Sequence, residues 1–117
     1  MGMFDWIEIP NIVCPNCSRE INACLQTKSG TNSLTHYQIG DKFYLNDLEM
    51  RHNKKSKQVK TINAIGSCEY CGIGMNGWVT IDYKDRIIKV EIYRFFKNLD
   101  KTIVFKKRIK INRELKQ

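Results

Sequence analysis

The sequence has little that a catalyst needs. Its two histidines, His36 and His52, lie in different segments, and its twelve carboxylates are scattered. There is no nucleophile elbow, no phosphate-cradling G-x-x-x-x-G-K-[ST] loop and no H-E-x-x-H pair. These gaps argue against an enzyme. No run approaches the ~20 apolar residues of a membrane-spanning helix. The start, Met1-Gly2-Met3-Phe4-Asp5-Trp6, lacks the basic region and apolar run of a secretory signal. Trp6 stands where N-myristoylation favours Ser or Thr. Internal repeats and low-complexity segments are absent too. The expectation is a soluble cytoplasmic chain with no membrane contact and with reduced cysteines.

What the sequence does hold is two C-x-x-C pairs, Cys14-Pro15-Asn16-Cys17 and Cys68-Glu69-Tyr70-Cys71. A two-residue spacer lets both sulfurs of a pair face one point from a tight turn. Two such turns brought together offer four thiolates to one metal. Zn²⁺ accepts a tetrahedral sulfur shell readily, so Cys14, Cys17, Cys68 and Cys71 are expected to hold structural Zn²⁺. Such a site has no open position for water, which also argues against metal-assisted hydrolysis. Iron takes the same ligands and is the redox rival. Disulfides are the other alternative, but they need an oxidising compartment. The long separation between the pairs implies an inserted element. Pro15 pre-sets a turn dihedral. Gly72 follows Cys71, where a knuckle often needs positive φ, whereas Ser18 holds the matching place after Cys17. The first knuckle is therefore looser, or Ser18 is strained. Cys24 reads as a small buried apolar residue.

A chain of 117 residues is one domain's worth, read as a single unit over 1–117. Structural zinc contributes ~10–16 kcal/mol in small peptides. Whole-domain stability is ~5–15 kcal/mol. Metal loss is therefore expected to unfold at least the knuckle region. The formal charge of +8 is uneven, net −3 over residues 1–50 and net +11 over 51–117. That asymmetry hints at an anionic partner for the second half.

Read along the chain, the pattern is all-β. Residues 4–9 form a first strand that stops at Pro10. Residues 21–27 return from the first knuckle. Residues 34–45 read as a hairpin turning at Gly40-Asp41, with Tyr37 opposite Tyr44 and Gln38 opposite Phe43. Residues 46–60 form a basic mobile loop containing Arg51, His52, Lys54, Lys55, Lys57 and Lys60. It is either a solvated loop or a finger that touches phosphates or an acidic protein. Residues 61–67 lead into the second knuckle, and Gly72, Gly74 and Gly77 make a bend after it. A hairpin follows, turning at Lys84-Asp85, with Val79 opposite Val90 and Ile81 opposite Ile88. Residues 102–112 alternate as an edge strand with Lys106, Arg108 and Lys110 in a row. Those basic residues guard the edge or bind an anion. The fold class is an all-β zinc ribbon with an inserted β-hairpin and a C-terminal β extension.

The Met-Gly-Met-Phe-Asp start, the early Cys14-Pro15-Asn16-Cys17 and the Leu25-Gln26-Thr27-Lys28 segment resemble small phage and prophage proteins of uncharacterised function. Those proteins carry Phe-Gln-Thr-Lys-Asp before a hairpin, and some have a second C-x-x-C. Here Leu25 replaces the Phe and Ser29 the Asp. The resemblance covers about the first 50 residues and the second knuckle. It implies a factor that works by binding a host or phage protein complex, in host takeover or anti-defence, in the host cytoplasm. The residues then point to a non-enzymatic zinc-binding module with a protein partner, and Trp6, Trp78, Tyr93 and Phe96 are its exposed-aromatic candidates. The alternative is a nucleic-acid-binding ribbon. It would use Arg51, Lys54, Lys55, Lys57, Lys60, Lys106, Arg108 and Lys110 on phosphates and Tyr70 or Trp78 for stacking.

Overall fold

Alternation of buried and open side chains builds the first strand. In β1 (Asp5–Val13), Asp5, Ile7 and Ile9 are buried while Trp6 and Glu8 are half-open. The computed structural model describes residues 3–46, 59–96 and 111–115. Strand β1 does not stop at Pro10 as expected. Its register against β2 (Glu20–Thr27) shifts between Ile9 and Ile12, and Asn11 takes φ 57°. This bulge lets proline sit without a ladder hydrogen bond, and Ile12 then returns to the core.

The remaining strands are β3 (His36–Tyr37), β4 (Lys60–Ser67), β5 (Gly74–Ile81), β6 (Ile87–Phe96) and β7 (Ile111–Glu114). They join one seven-stranded sheet in the order β3-β1-β2-β4-β5-β6-β7. Two hairpins, β1–β2 and β4–β5, lie side by side, each tipped by one C-x-x-C turn. That is the arrangement of a zinc ribbon, and β6 and β7 extend it. The sheet curls: Arg113 on β7 donates from Nη2 to the Asn11 carbonyl on β1 at 3.1 Å. Its inner face packs Ile7, Ile9, Leu25, Ile62, Met75, Val79, Val90 and Ile92 into one core. Among the described residues there is no helix long and apolar enough to cross a membrane.

The seam between the hairpins is tight. Strands β2 and β4 meet at Gln26 and Ile65. A Cβ on Gly66 would stand 2.6 Å from the Cys24 carbonyl oxygen, so only glycine lets the two backbones approach this closely. Gly74 and Gly77 lie within β5 rather than in a bend, and the Phe96 ring covers Gly74.

Residues 34–45 do not pair with one another as expected. His36 and Tyr37 run parallel to β1, opposite Trp6 and Ile7. Gly40-Asp41 does turn, with the Asp41 amide donating to the Gln38 carbonyl at 3.0 Å. The chain then crosses to the start of β6. Gly40 donates to the Ile87 carbonyl, Ile87 to that of Asp41, and Phe43 to that of Asp85. The cause is Phe43, whose fully buried ring packs edge-on against Tyr37 at 4.8 Å. Burying that ring stabilises the crossing more than a local ladder with Tyr44, which stays exposed. Asp5 anchors the preceding loop. Its buried carboxylate accepts the backbone N–H groups of Asn32, Ser33 and Thr35 at 2.9–3.1 Å.

The hairpin β5–β6 forms with Val79 opposite Val90, Thr80 opposite Lys89 and Trp78 opposite Glu91. Ile81, however, meets Ile87 rather than Ile88. The turn is longer than two residues: Asp82 donates to the Arg86 carbonyl, and its side chain accepts the Lys84 and Arg86 amides.

Candidate metal centre

The two knuckles repeat each other bond for bond. Ser18 donates to the Cys14 carbonyl and Gly72 to that of Cys68, both at 2.9 Å. Cys14 donates to the Arg19 carbonyl, and Cys68 to that of Ile73. The residue after each second cysteine is left-handed, Ser18 at φ 63° and Gly72 at φ 77°. The turn therefore requires positive φ whichever residue occupies it, and Ser18 carries the strain.

Because the hairpins run side by side, both knuckles sit at one end of the sheet. The four sulfurs of Cys14, Cys17, Cys68 and Cys71 lie within 4.8 Å of one another. Across the knuckles, Cys14 Sγ is 3.6 Å from Cys71 Sγ, and Cys17 Sγ is 3.8 Å from Cys68 Sγ. Four sulfurs at ~2.3 Å from a tetrahedral centre stand ~3.8 Å apart. The donor set and its spacing fit a metal ion. Cys14 and Cys68 are buried and Cys71 opens to solvent.

Burial pushes the Cys14 thiol up to about 12, against backbone N–H groups of Cys17 and Asn16 that favour its thiolate. Partial desolvation also pushes the Cys71 thiol up, although the residue opens to solvent. There, hydrogen bonds from the Asn16 side chain, the Ile73 backbone and the neighbouring Cys68 and Cys14 prevail and hold it down to about 6. Asn16, on the first knuckle, thus supports a sulfur of the second. Arg19 bridges the same gap by lying over the Tyr70 ring at 4.7 Å. Sequence reasoning missed both links, since nothing in the spacing shows which side chains meet across the knuckles.

Cys24 stands apart from the cluster on β2, half-buried, its thiol pushed up first by burial and then by Glu8 and Glu69. His36 is no ligand here: its Nδ1 lies 2.7 Å from Glu8 Oε1 and its ring stacks on Trp6. Lys60 opens β4 instead of lying in a basic loop. Its ammonium pairs with Asp85 at 3.1 Å, and the side chain is 12% exposed. That pairing satisfies its charge within the fold. Arg51, His52, Lys54, Lys55, Lys57, Lys106, Arg108 and Lys110 lie outside the described residues, as does most of the expected strand over residues 102–112. Trp78 is exposed and stacks on Tyr93, Trp6 sits between Phe4 and His36, and Phe96 covers Gly74.

The fold and the four convergent sulfurs define a β module of ribbon type with a cysteine cluster able to hold a metal ion. Searches of protein-family models, curated proteins and solved structures find no match to this chain.

Proposed function

We propose that the protein is a non-enzymatic zinc-binding module that works by binding a protein complex in the cytoplasm, as a phage-type host-takeover or anti-defence factor. The observation that carries the zinc reading is the convergence of four sulfurs from two hairpin tips within 4.8 Å. When bound, the ion would supply cross-linking: Cys14 and Cys17 tie one hairpin to Cys68 and Cys71 of the other.

The outer face of the sheet supports the protein partner. Residues 22–26 of β2, 61–67 of β4 and 74–80 of β5 contain no charged side chain. Ile65 and Trp78 stand exposed among them. Charge depletion at the centre with aromatics around it is the compositional mark of a protein-binding surface. Metal analysis of the purified protein tests the zinc reading; the expected result is one zinc per chain and a colourless solution. Visible absorption from iron thiolate, or protein that is folded and metal-free with its cysteines reduced, refutes it. Affinity capture from host cells with wild type and Ile65→Asp in parallel tests the surface. The expected result is a partner that the variant no longer retains.

The nucleic-acid reading rests on one further observation. The described residues hold nine basic and nine acidic side chains, so the whole +8 resides in the other segments. A salt titration decides it: five phosphate contacts predict a log–log slope of about −4.5 on duplex DNA. No binding to DNA or RNA at low salt removes this reading.

A further inference from the structure

The four sulfurs differ in access, and the difference has a chemical direction. Cys14 and Cys68 are 1% and 2% exposed, Cys17 is partly covered, and Cys71 lies open at the surface. A reagent from solution therefore meets Cys71 first. Between the hairpins, its sulfur lies 3.6 Å from Cys14 Sγ, and the remaining pair, Cys17 and Cys68, stands at 3.8 Å. A disulfide needs sulfurs ~2.05 Å apart, so each of these pairs closes with a movement of ~1.5–2 Å.

We propose that Cys71 is a site of oxidation by hydroperoxides, and that oxidation exchanges the metal for two disulfides between the hairpins, Cys14–Cys71 and Cys17–Cys68. This rests on the reading that the four cysteines hold a metal. The Cys71 thiolate attacks one peroxide oxygen; the S–O bond forms, the O–O bond breaks, and the departing alkoxide or hydroxide takes a proton. The Cys14 thiolate then attacks the Cys71 sulfur. The S–S bond forms, the S–O bond breaks, and hydroxide leaves as water with a second proton. Two thiolates have lost two electrons and one peroxide has gained them. A second equivalent oxidises Cys17 and Cys68 in the same way, and the ion departs as the dication with its charge unchanged.

The exchange keeps the hairpins tied. Disulfides within each C-x-x-C would close only tight turns and leave the two hairpin tips without a covalent tie. Disulfides between them span 57 and 51 residues of chain. Cross-links over loops that long restrict the unfolded chain most. The oxidised, metal-free protein thus stays folded where the reduced, metal-free protein does not.

The experiment uses full-length Cys24→Ser, which retains the cluster and removes the fifth thiol. Metal content before treatment tests the zinc reading by itself. Hydrogen peroxide is then added in steps, zinc release is followed with a chromogenic chelator, and the product is digested with trypsin without reduction. Cleavage after Arg19, Lys60 and Lys84 puts each C-x-x-C on its own peptide. After one equivalent, Cys14 and Cys71 should resist alkylation while Cys17 and Cys68 react. After two, the peptides should be joined, with one zinc per chain released and the far-UV signal retained. Separate peptides, each closed on itself, overturn the proposal, as does a Cys71 that still alkylates after one equivalent.

Discussion

The guanidinium of Arg19, on the first knuckle, lies 4.7 Å above the ring of Tyr70, on the second. It joins the two hairpin tips from outside, as the sulfurs join them from inside. A cation over an exposed ring contributes about 0.5–1 kcal/mol. Tyr70→Ala and Arg19→Ala should each lower stability by about that much. A double-mutant cycle, read from denaturant midpoints, should return a coupling energy of the same size. Additive losses would show that the contact contributes nothing.

Ser18 holds the left-handed turn position that Gly72 holds in the other knuckle. A non-glycine residue there bears a cost of ~1–2 kcal/mol, partly offset because glycine loses more entropy on folding. Ser18→Gly should therefore stabilise the protein by up to about 1 kcal/mol. Thermal unfolding of the metal-loaded protein checks the sign.

At the seam the expectation reverses. The Cβ of Gly66→Ala would meet the Cys24 carbonyl oxygen at 2.6 Å and the Leu25 side chain at 2.9 Å. A backbone oxygen cannot swing aside as a side chain can. Overpacking of this kind costs about 1–3 kcal/mol. The variant should unfold at correspondingly lower denaturant, and an unchanged midpoint would mean that β2 and β4 separate freely.

How far such features can be read from sequence depends on what sets them. The ribbon was legible because the chemistry of a C-x-x-C turn is local, and two of them need one meeting point. The pairing of Val79 with Val90 was legible because a period-2 pattern admits few registers. The shift at Ile81 was not, since it depends on the Asp82 side chain accepting the Lys84 and Arg86 amides. Nor was the path of residues 34–45. Gly40-Asp41 turns as its residue types suggest, but the strand that receives the chain is β6, far along the sequence. Only the demand to bury Phe43 selects it. The sulfur cluster followed from spacing alone; its supports, Asn16, Arg19 and Tyr70, followed from how two turns face each other.

Removing the metal should do more than loosen the tips. Structural zinc contributes ~10–16 kcal/mol in small peptides, comparable to the ~5–15 kcal/mol of a whole domain. A strong chelator under reducing conditions should abolish the β far-UV signal, and added zinc should restore it. Cys68→Ser, which removes a buried ligand, should fail to regain structure with any zinc concentration that rescues wild type.

Metal affinity should depend on pH with a sign set by the thiols. The ion binds thiolates, so every proton it must displace weakens it. At neutral pH Cys71, held down to about 6 by Asn16, Ile73 and the adjacent cysteines against partial desolvation, is already ionised. Cys14, pushed up to about 12 by burial, still carries its proton and must release it. Each displaced proton makes affinity rise about tenfold per pH unit, so binding should tighten by at least that factor per unit between pH 7 and 8.5. Below about pH 6 Cys71 is protonated as well, and the slope should steepen by about a further tenfold per unit as the solution becomes more acidic. Competition against a chromogenic chelator from pH 5 to 8.5 measures the slope. A flat profile would mean that the cluster gives up no protons, and hence that these sulfurs are not what holds the ion.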